Sequence, residues 1–154
     1  MSLTRRPVVR ADLRALMALK VAPAQRQLVA ETAVTLAQQA YEPPGTHVWG
    51  LWDGDTAVGL LAMVDPRTYP ELEPEDDREA AFVWRLMIAE EHQGKGYGRA
   101  ALGEVFSVAR DWGLPRVALT FTDIPGNAEP FYLAHGFTRT GRVVDGEVEM
   151  MRGI

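Results

Sequence analysis

The sequence predicts a mixed α/β protein, a central sheet of about seven strands flanked by about four helices. Three observations carry this. Apolar residues switch between helical and strand spacing along the chain, in the order β-α-α-β-β-β-α-β-α-β-β. Asp53-Gly54-Asp55 and Asp145-Gly146 each signal a hairpin between apolar runs. Phe82–Trp112 reads as an apolar strand, a glycine-rich turn and an amphipathic helix in succession. A doubly wound dinucleotide fold would repeat βα units over a parallel sheet, and the early and late hairpins disagree with that.

Taken in order, Thr4–Arg10 is a first strand, placed at an edge by Pro7. Asp12 caps a short helix over Leu13–Leu19, with Leu13, Leu16 and Met17 on one face. Pro23 begins a second helix over Ala24–Gln39, where Val29, Ala33, Leu36, Ala37 and Ala40 repeat at helical spacing, and Glu42-Pro43-Pro44-Gly45 ends it. His47–Trp52 and Thr56–Val64 form a hairpin in which Gly59 marks a bulge or a close approach. Residues 66–79, rich in Pro, Glu and Asp, make an exposed loop. Phe82–Ile88 is a buried strand and Arg99–Trp112 the helix after the glycine turn. Arg116–Phe121 is a further strand. Asn127 caps a short helix over Ala128–Ala134, Gly136 closes it, and Phe137–Val144 with Glu147–Arg152 make the last hairpin.

The length of 154 residues suits one domain, 1–154, with one core. A formal charge of −5 argues against a nucleic-acid partner and mildly favours a basic substrate. With no Cys there is no disulfide, thiolate nucleophile or thiolate metal site, which fits a reducing cytoplasm. No apolar run reaches the roughly 18 residues of a membrane span, and MSLTRRPVVRADL lacks the apolar core of a signal peptide. A cytoplasmic protein with no membrane partner is expected. Three scattered histidines without spaced carboxylates make no metal site; His92 sits where it can touch a ligand of the glycine turn, and His135 is expected to face solvent.

Gln93-Gly94-Lys95-Gly96-Tyr97-Gly98 between strand and helix presents free backbone N–H groups at a helix N-terminus, an arrangement that binds phosphate. The same glycines also suit a turn that needs only permissive φ. The motif lacks the Gly-Lys-Ser/Thr of a P-loop.

These residues match the acetyl-CoA loop, Gln/Arg-x-x-Gly-x-Gly/Ala, of the GCN5-related N-acetyltransferase (GNAT) superfamily, and the chain resembles that superfamily. Asn127 and Phe131-Tyr132-Leu133-Ala134-His135-Gly136-Phe137 are similar to the family's Asn followed by FYxxxGF. Leu19-Lys20-Val21-Ala22-Pro23-Ala24-Gln25 and Trp84-Arg85-Leu86-Met87-Ile88 look like the bacterial diamine and spermine/spermidine branch. The resemblance implies the GNAT fold, splayed between the fourth and fifth strands, and acetyl-CoA as co-substrate without a metal. It places the coenzyme A pyrophosphate on Gly94, Gly96, Gly98 and Arg99, with Gln93, Lys95 and Tyr97 in the same loop, the pantetheine arm along Met87 and Ile88, and Asn127 beside it.

The resemblance further implies that Tyr132 is the general acid for the leaving thiolate; without it, a core aromatic is an equal reading. Trp84 stands where some relatives keep a glutamate base, so the base is sought elsewhere, in Glu31 first, then Glu42 or an acid of 71–79. Glu42, Glu71, Glu73, Glu75 and Trp84 are expected to hold the acceptor, a small di- or polyamine or, alternatively, another amine such as an aminoglycoside, amino acid or protein N-terminus. A catalytically idle acyl-CoA-binding domain is the reading from another class. A homodimer is expected, with the C-terminal strands as its interface.

Overall fold

The computed structural model describes residues 2–154. Seven strands form one sheet in the order β1-β2-β3-β4-β5-β7-β6. They are β1 (Leu3–Pro7), β2 (Thr46–Asp53), β3 (Thr56–Val64), β4 (Ala80–Ile88), β5 (Arg116–Phe121), β6 (Thr138–Val144) and β7 (Glu147–Gly153). The helices are α1 (Leu13–Met17), α2 (Thr32–Tyr41), α3 (Tyr97–Asp111) and α4 (Glu129–Ala134). The expected order of elements and mixed sheet are therefore present. Among the described residues only β4 and β5 pair in parallel; the other neighbours are antiparallel.

The parallel pair is the feature that makes a site. Its ladder runs from Ala80 with Arg116 only as far as Val83 with Leu119. β4 continues to Ile88 beyond the last rung, so its edge from Trp84 onward has no strand partner on the β5 side. A bulge in β4 accompanies the parting: Met63 pairs Val83 and Ala62 pairs Arg85, which leaves Trp84 without an opposite residue on β3. The sheet is splayed there, as expected.

Two cores cover the sheet. On one face Leu102, Val105, Val108 and Ala109 of α3 bury against Leu61, Val117, Leu119 and Met150. On the other, Leu16 and Leu19 pack on Trp52, Leu60 and Met87. Gly59 lies close against β4: a Cβ there would lie 2.2 Å from the Met87 carbonyl oxygen. Both readings of Gly59 hold, since β2 and β3 also slip register beside it.

Several boundaries differ from expectation. β1 stops at Pro7, and Arg10–Asp12 form a 3-10 turn. Pro23 starts only a 3-10 turn, Pro23–Gln25, and α2 begins at Thr32. The buried face of α2 carries Thr32 and Thr35, while Ala33, Ala37 and Ala40 are exposed. Alanine spacing points to another face because the inward residues are polar, Thr35 accepting from Arg85 at 3.1 Å. Met17 is likewise exposed, and Leu19 replaces it in the core. β6, within the expected dimer interface, forms an edge of the sheet. Among the described residues no helix is long and apolar enough to cross a membrane.

Candidate active site

The glycine turn forms as a helix start. Gly94 and Gly96 both have left-handed φ, +72° and +89°, and Gly96 is the N-cap of α3. The first helical bond runs from the Ala100 N–H to the Gly96 carbonyl, so the N–H groups of Tyr97, Gly98 and Arg99 have no intrahelical acceptor. The macrodipole adds positive potential at the same place. No Cβ fits comfortably on Gly98, because Phe131 of α4 would lie 3.3 Å away.

α4 is short and is held by its end. The Asn127 side chain accepts the Glu129 N–H at 2.8 Å; α4 begins one residue later than expected, so Ala128 holds the N-cap position and Asn127 braces the helix start from the residue before it. At the other end Gly136 has φ +87°. The Gly136 N–H donates to the Leu133 carbonyl at 3.1 Å and the Phe137 N–H to the Tyr132 carbonyl at 3.0 Å. This is a Schellman motif, and its usual apolar contact is the Tyr132 ring against fully buried Phe137, centroids 5.6 Å apart. The FYxxxGF string is thus a helix stop that fixes the aspect of Tyr132. Burial pushes the Tyr132 phenol up to about 12, so it stays protonated through the neutral range.

A cleft of about 860 Å³ opens between the parted strands. Gln93, Gly94, Gly96, Gly98 and Arg99 line one end, Met87 and Ile88 one wall, and Asn127, Phe131 and Tyr132 the other. His92 lines it too. Lys95 and Tyr97 turn away: the Lys95 ammonium donates to the Glu91 carbonyl at 3.0 Å, and the Tyr97 hydroxyl donates to Asp53 at the end of β2. Sequence reasoning missed Gln25 here. Its amide exchanges hydrogen bonds with that of Gln93 (2.8 and 3.3 Å), and Gln93 also donates to the Ile88 carbonyl at 2.8 Å. The segment 25–30 lines this cleft.

A second cleft, of about 450 Å³, lies on the α2 side of the sheet. Glu42, Glu71, Glu73, Asp145 and Glu147 line it and make no ion pair among the described residues. Asp76 and Asp77, in the same wall, are neutralised by Arg142 and Arg116 at 3.1 and 2.7 Å. Burial first, then the charges of Glu42 and Glu71, raise the Tyr69 phenol above its ordinary value. Glu75 does not line the cleft; its carbonyl accepts from Arg142 at 3.0 Å. Glu31 is the exposed N-cap of α2, not a mid-helix residue, and lines neither cleft. His135 does not point freely into solvent: its Nδ1 lies 2.7 Å from the Phe131 carbonyl.

The two clefts meet at Trp84, Arg85, Thr120 and Glu147, which line both. Arg85 is half-buried, stacked over Trp84 at 4.8 Å and donating to Thr35 at 3.1 Å and to Gln38. Burial holds its guanidinium below the ordinary value. Among the described residues no group of three or more His, Cys, Asp or Glu is placed to hold a metal.

A half-open parallel strand pair beside a bare helix N-terminus suits an extended anionic ligand, and defines an α/β protein of that class. The Acetyltransferase (GNAT) family model matches residues 13–137, and the chain belongs to that family. It is 30% identical over 94 residues to N-acetyltransferase 8F1 of Rattus norvegicus, covering 61% of this chain and 40% of that protein, so it spans well under half of that relative's length. It is 28% identical over 124 residues to the uncharacterized N-acetyltransferase YycN of Bacillus subtilis, covering 79% and 75%. Among solved structures, an acetyltransferase from Thermus thermophilus superposes with TM-score 0.76 at 25% identity over 100% of this chain and 98% of that one. The PaiA N-acetyltransferase of Thermoplasma acidophilum, in complex with coenzyme A, shares the fold with TM-score 0.67 at 15% identity, covering 100% of both chains.

Proposed function

We propose that the protein is an acetyl-CoA-dependent N-acetyltransferase acting on a primary amine of a small, positively charged acceptor, with both substrates bound at once. The observation that carries this reading is the meeting of two chemically opposite clefts at the parted strands. One ends in unpaired backbone N–H groups; the other is walled by carboxylates.

The residues fit coenzyme A on steric grounds: glycines occupy the loop, and no side chain of Lys95 or Tyr97 intrudes. Gly94, Gly96, Gly98 and Arg99 would receive the pyrophosphate with Gln93 beside them, and the free edge near Met87 and Ile88 would receive the pantetheine amides. Asn127 would stand beside that arm. The thioester supplies an activated acetyl carbon. Tyr132, neutral and partly buried, donates its proton to the departing sulfur.

Glu42, Glu71 and Glu73 would attract and orient a di- or polyamine, or another amine of several charges such as an aminoglycoside. A second reading is favoured by Arg85. A half-buried guanidinium with only neutral hydrogen-bond partners at the junction would take a carboxylate, as an amino acid or peptide acceptor carries. Thiol release from acetyl-CoA, measured over diamines, polyamines, aminoglycosides, amino acids and peptides with product masses, tests both. Release with the multiply charged amines supports the first; release confined to amino acids or peptides supports the second; none with any amine refutes both.

A further inference from the structure

Glu147 is the first residue of β7, and β7 lies between β5 and β6. Thr120 of β5 pairs Glu149, so Glu147 is its diagonal neighbour on the same face. The Thr120 hydroxyl donates to one Glu147 oxygen at 2.7 Å, which fixes the carboxylate at the junction of the two clefts. A carboxylate offers about four acceptor sites, and this one has no ion pair among the described residues. Tyr132 lines the first cleft, as Glu147 does. The other charged groups lining the second cleft with Glu147 are Arg85 of β4, Glu42 beyond α2, Glu71, Glu73, Asp76 and Asp77 of the loop 66–79, and Asp145 and Glu149 of its own hairpin. Glu149 is already engaged by Arg142 and Thr140.

We propose that Glu147 is the catalytic residue that binds the acceptor ammonium and takes its proton, an assignment that rests on the acetyl transfer proposed above. An alkylammonium with a pKa of about 10 has no lone pair to offer near neutrality. One of its protons passes to the Glu147 carboxylate and on to solvent through the acidic cleft. The freed lone pair forms the N–C bond at the acetyl carbon, and the C–S bond breaks with its electron pair leaving on sulfur. Tyr132 protonates that sulfur, and the second proton shed by nitrogen restores the phenol. One amide, one thiol and one released proton balance the step.

The test compares wild type, Glu147→Gln and Glu147→Asp on two acceptors: a diamine, charged at neutral pH, and methoxyamine, which is already neutral there. Glu147→Gln should lower kcat/KM for the diamine by roughly 10²–10⁴-fold, and the deficit should shrink as pH rises toward the amine's own pKa. Methoxyamine should be affected less than about threefold, since it has no proton to lose before attack. Glu147→Asp should keep part of the diamine activity. Calorimetry should find acetyl-CoA affinity and melting temperature unchanged in Glu147→Gln, and weaker diamine binding to the coenzyme A-loaded protein. An equal loss on both acceptors, or no loss on the diamine, overturns the assignment while leaving the function standing. No transfer by the wild type to any amine overturns the function and the assignment together.

Discussion

Replacing Gly59 with Ala tests whether the splayed cleft depends on close packing of β3 against β4. The added Cβ would sit 2.2 Å from the Met87 carbonyl oxygen and 3.0 Å from the Ile88 side chain. Opening the first contact even to 3.0 Å requires local strand separation of about 0.8 Å, in a sheet where neighbours lie about 4.8 Å apart. Such overpacking typically costs about 1–3 kcal/mol. For a chain of this size that is a fall in Tm of roughly 3–10 °C. The matched control is Gly103→Ala: Gly103 lies in α3, is exposed, and has open space around its Cβ position. That variant should be stabilised by about 0.5–1 kcal/mol, through helix propensity alone. Thermal unfolding followed by circular dichroism reads both. Met87 and Ile88 line the first cleft, so Gly59→Ala should also weaken acetyl-CoA binding by calorimetry while Gly103→Ala should not. A Gly59→Ala protein that melts with or above the wild type and binds acetyl-CoA normally would refute the reasoning.

Three further variants have expected outcomes. Tyr132→Phe should lower turnover by roughly 10–10³-fold with acetyl-CoA affinity unchanged. The same variant has an alkaline signature. The folded phenol is raised from 10.0 to about 12, so its contribution is complete below pH 10 and is lost as pH rises to about 12; urea titrations should show wild type losing more stability than Tyr132→Phe across that window. Glu71→Gln with Glu73→Gln should raise KM for a diamine several-fold more than for a monoamine, and added salt should erase the difference; equal effects would mark this wall as plain surface. Gln25→Ala should remove a clasp of about 0.5–1.5 kcal/mol and speed amide hydrogen exchange across 22–31, with weaker acetyl-CoA binding; unchanged exchange would show that Gln25 does not hold this segment.

What could be read in the sequence was the chemistry of near neighbours along the chain. Gly94 and Gly96 announce a left-handed turn before a helix, and the structure puts both there. Asp145 and Gly146 both take positive φ, 49° and 80°, as a type I′ hairpin turn demands. The FYxxxGF string fixes Tyr132 because a Schellman motif involves only residues a few positions apart. The second helix was the local failure. Pro23 fits a helix start, yet Gln25 is engaged with Gln93, sixty-eight residues away, and the chain turns helical only at Thr32. Glu147 carries no such local mark. Its alternation with Val148 and Glu149 shows that β7 has one polar face but not what that face meets. Only the insertion of β7 between β5 and β6 sets its carboxylate beside Thr120 at the mouth of both clefts. The sequence alone determined the turns, caps and helix start that line the first cleft, because these depend on backbone freedom within a few residues. The tertiary structure alone decided which carboxylates share the second cleft, because strand order joins residues that no short-range preference connects.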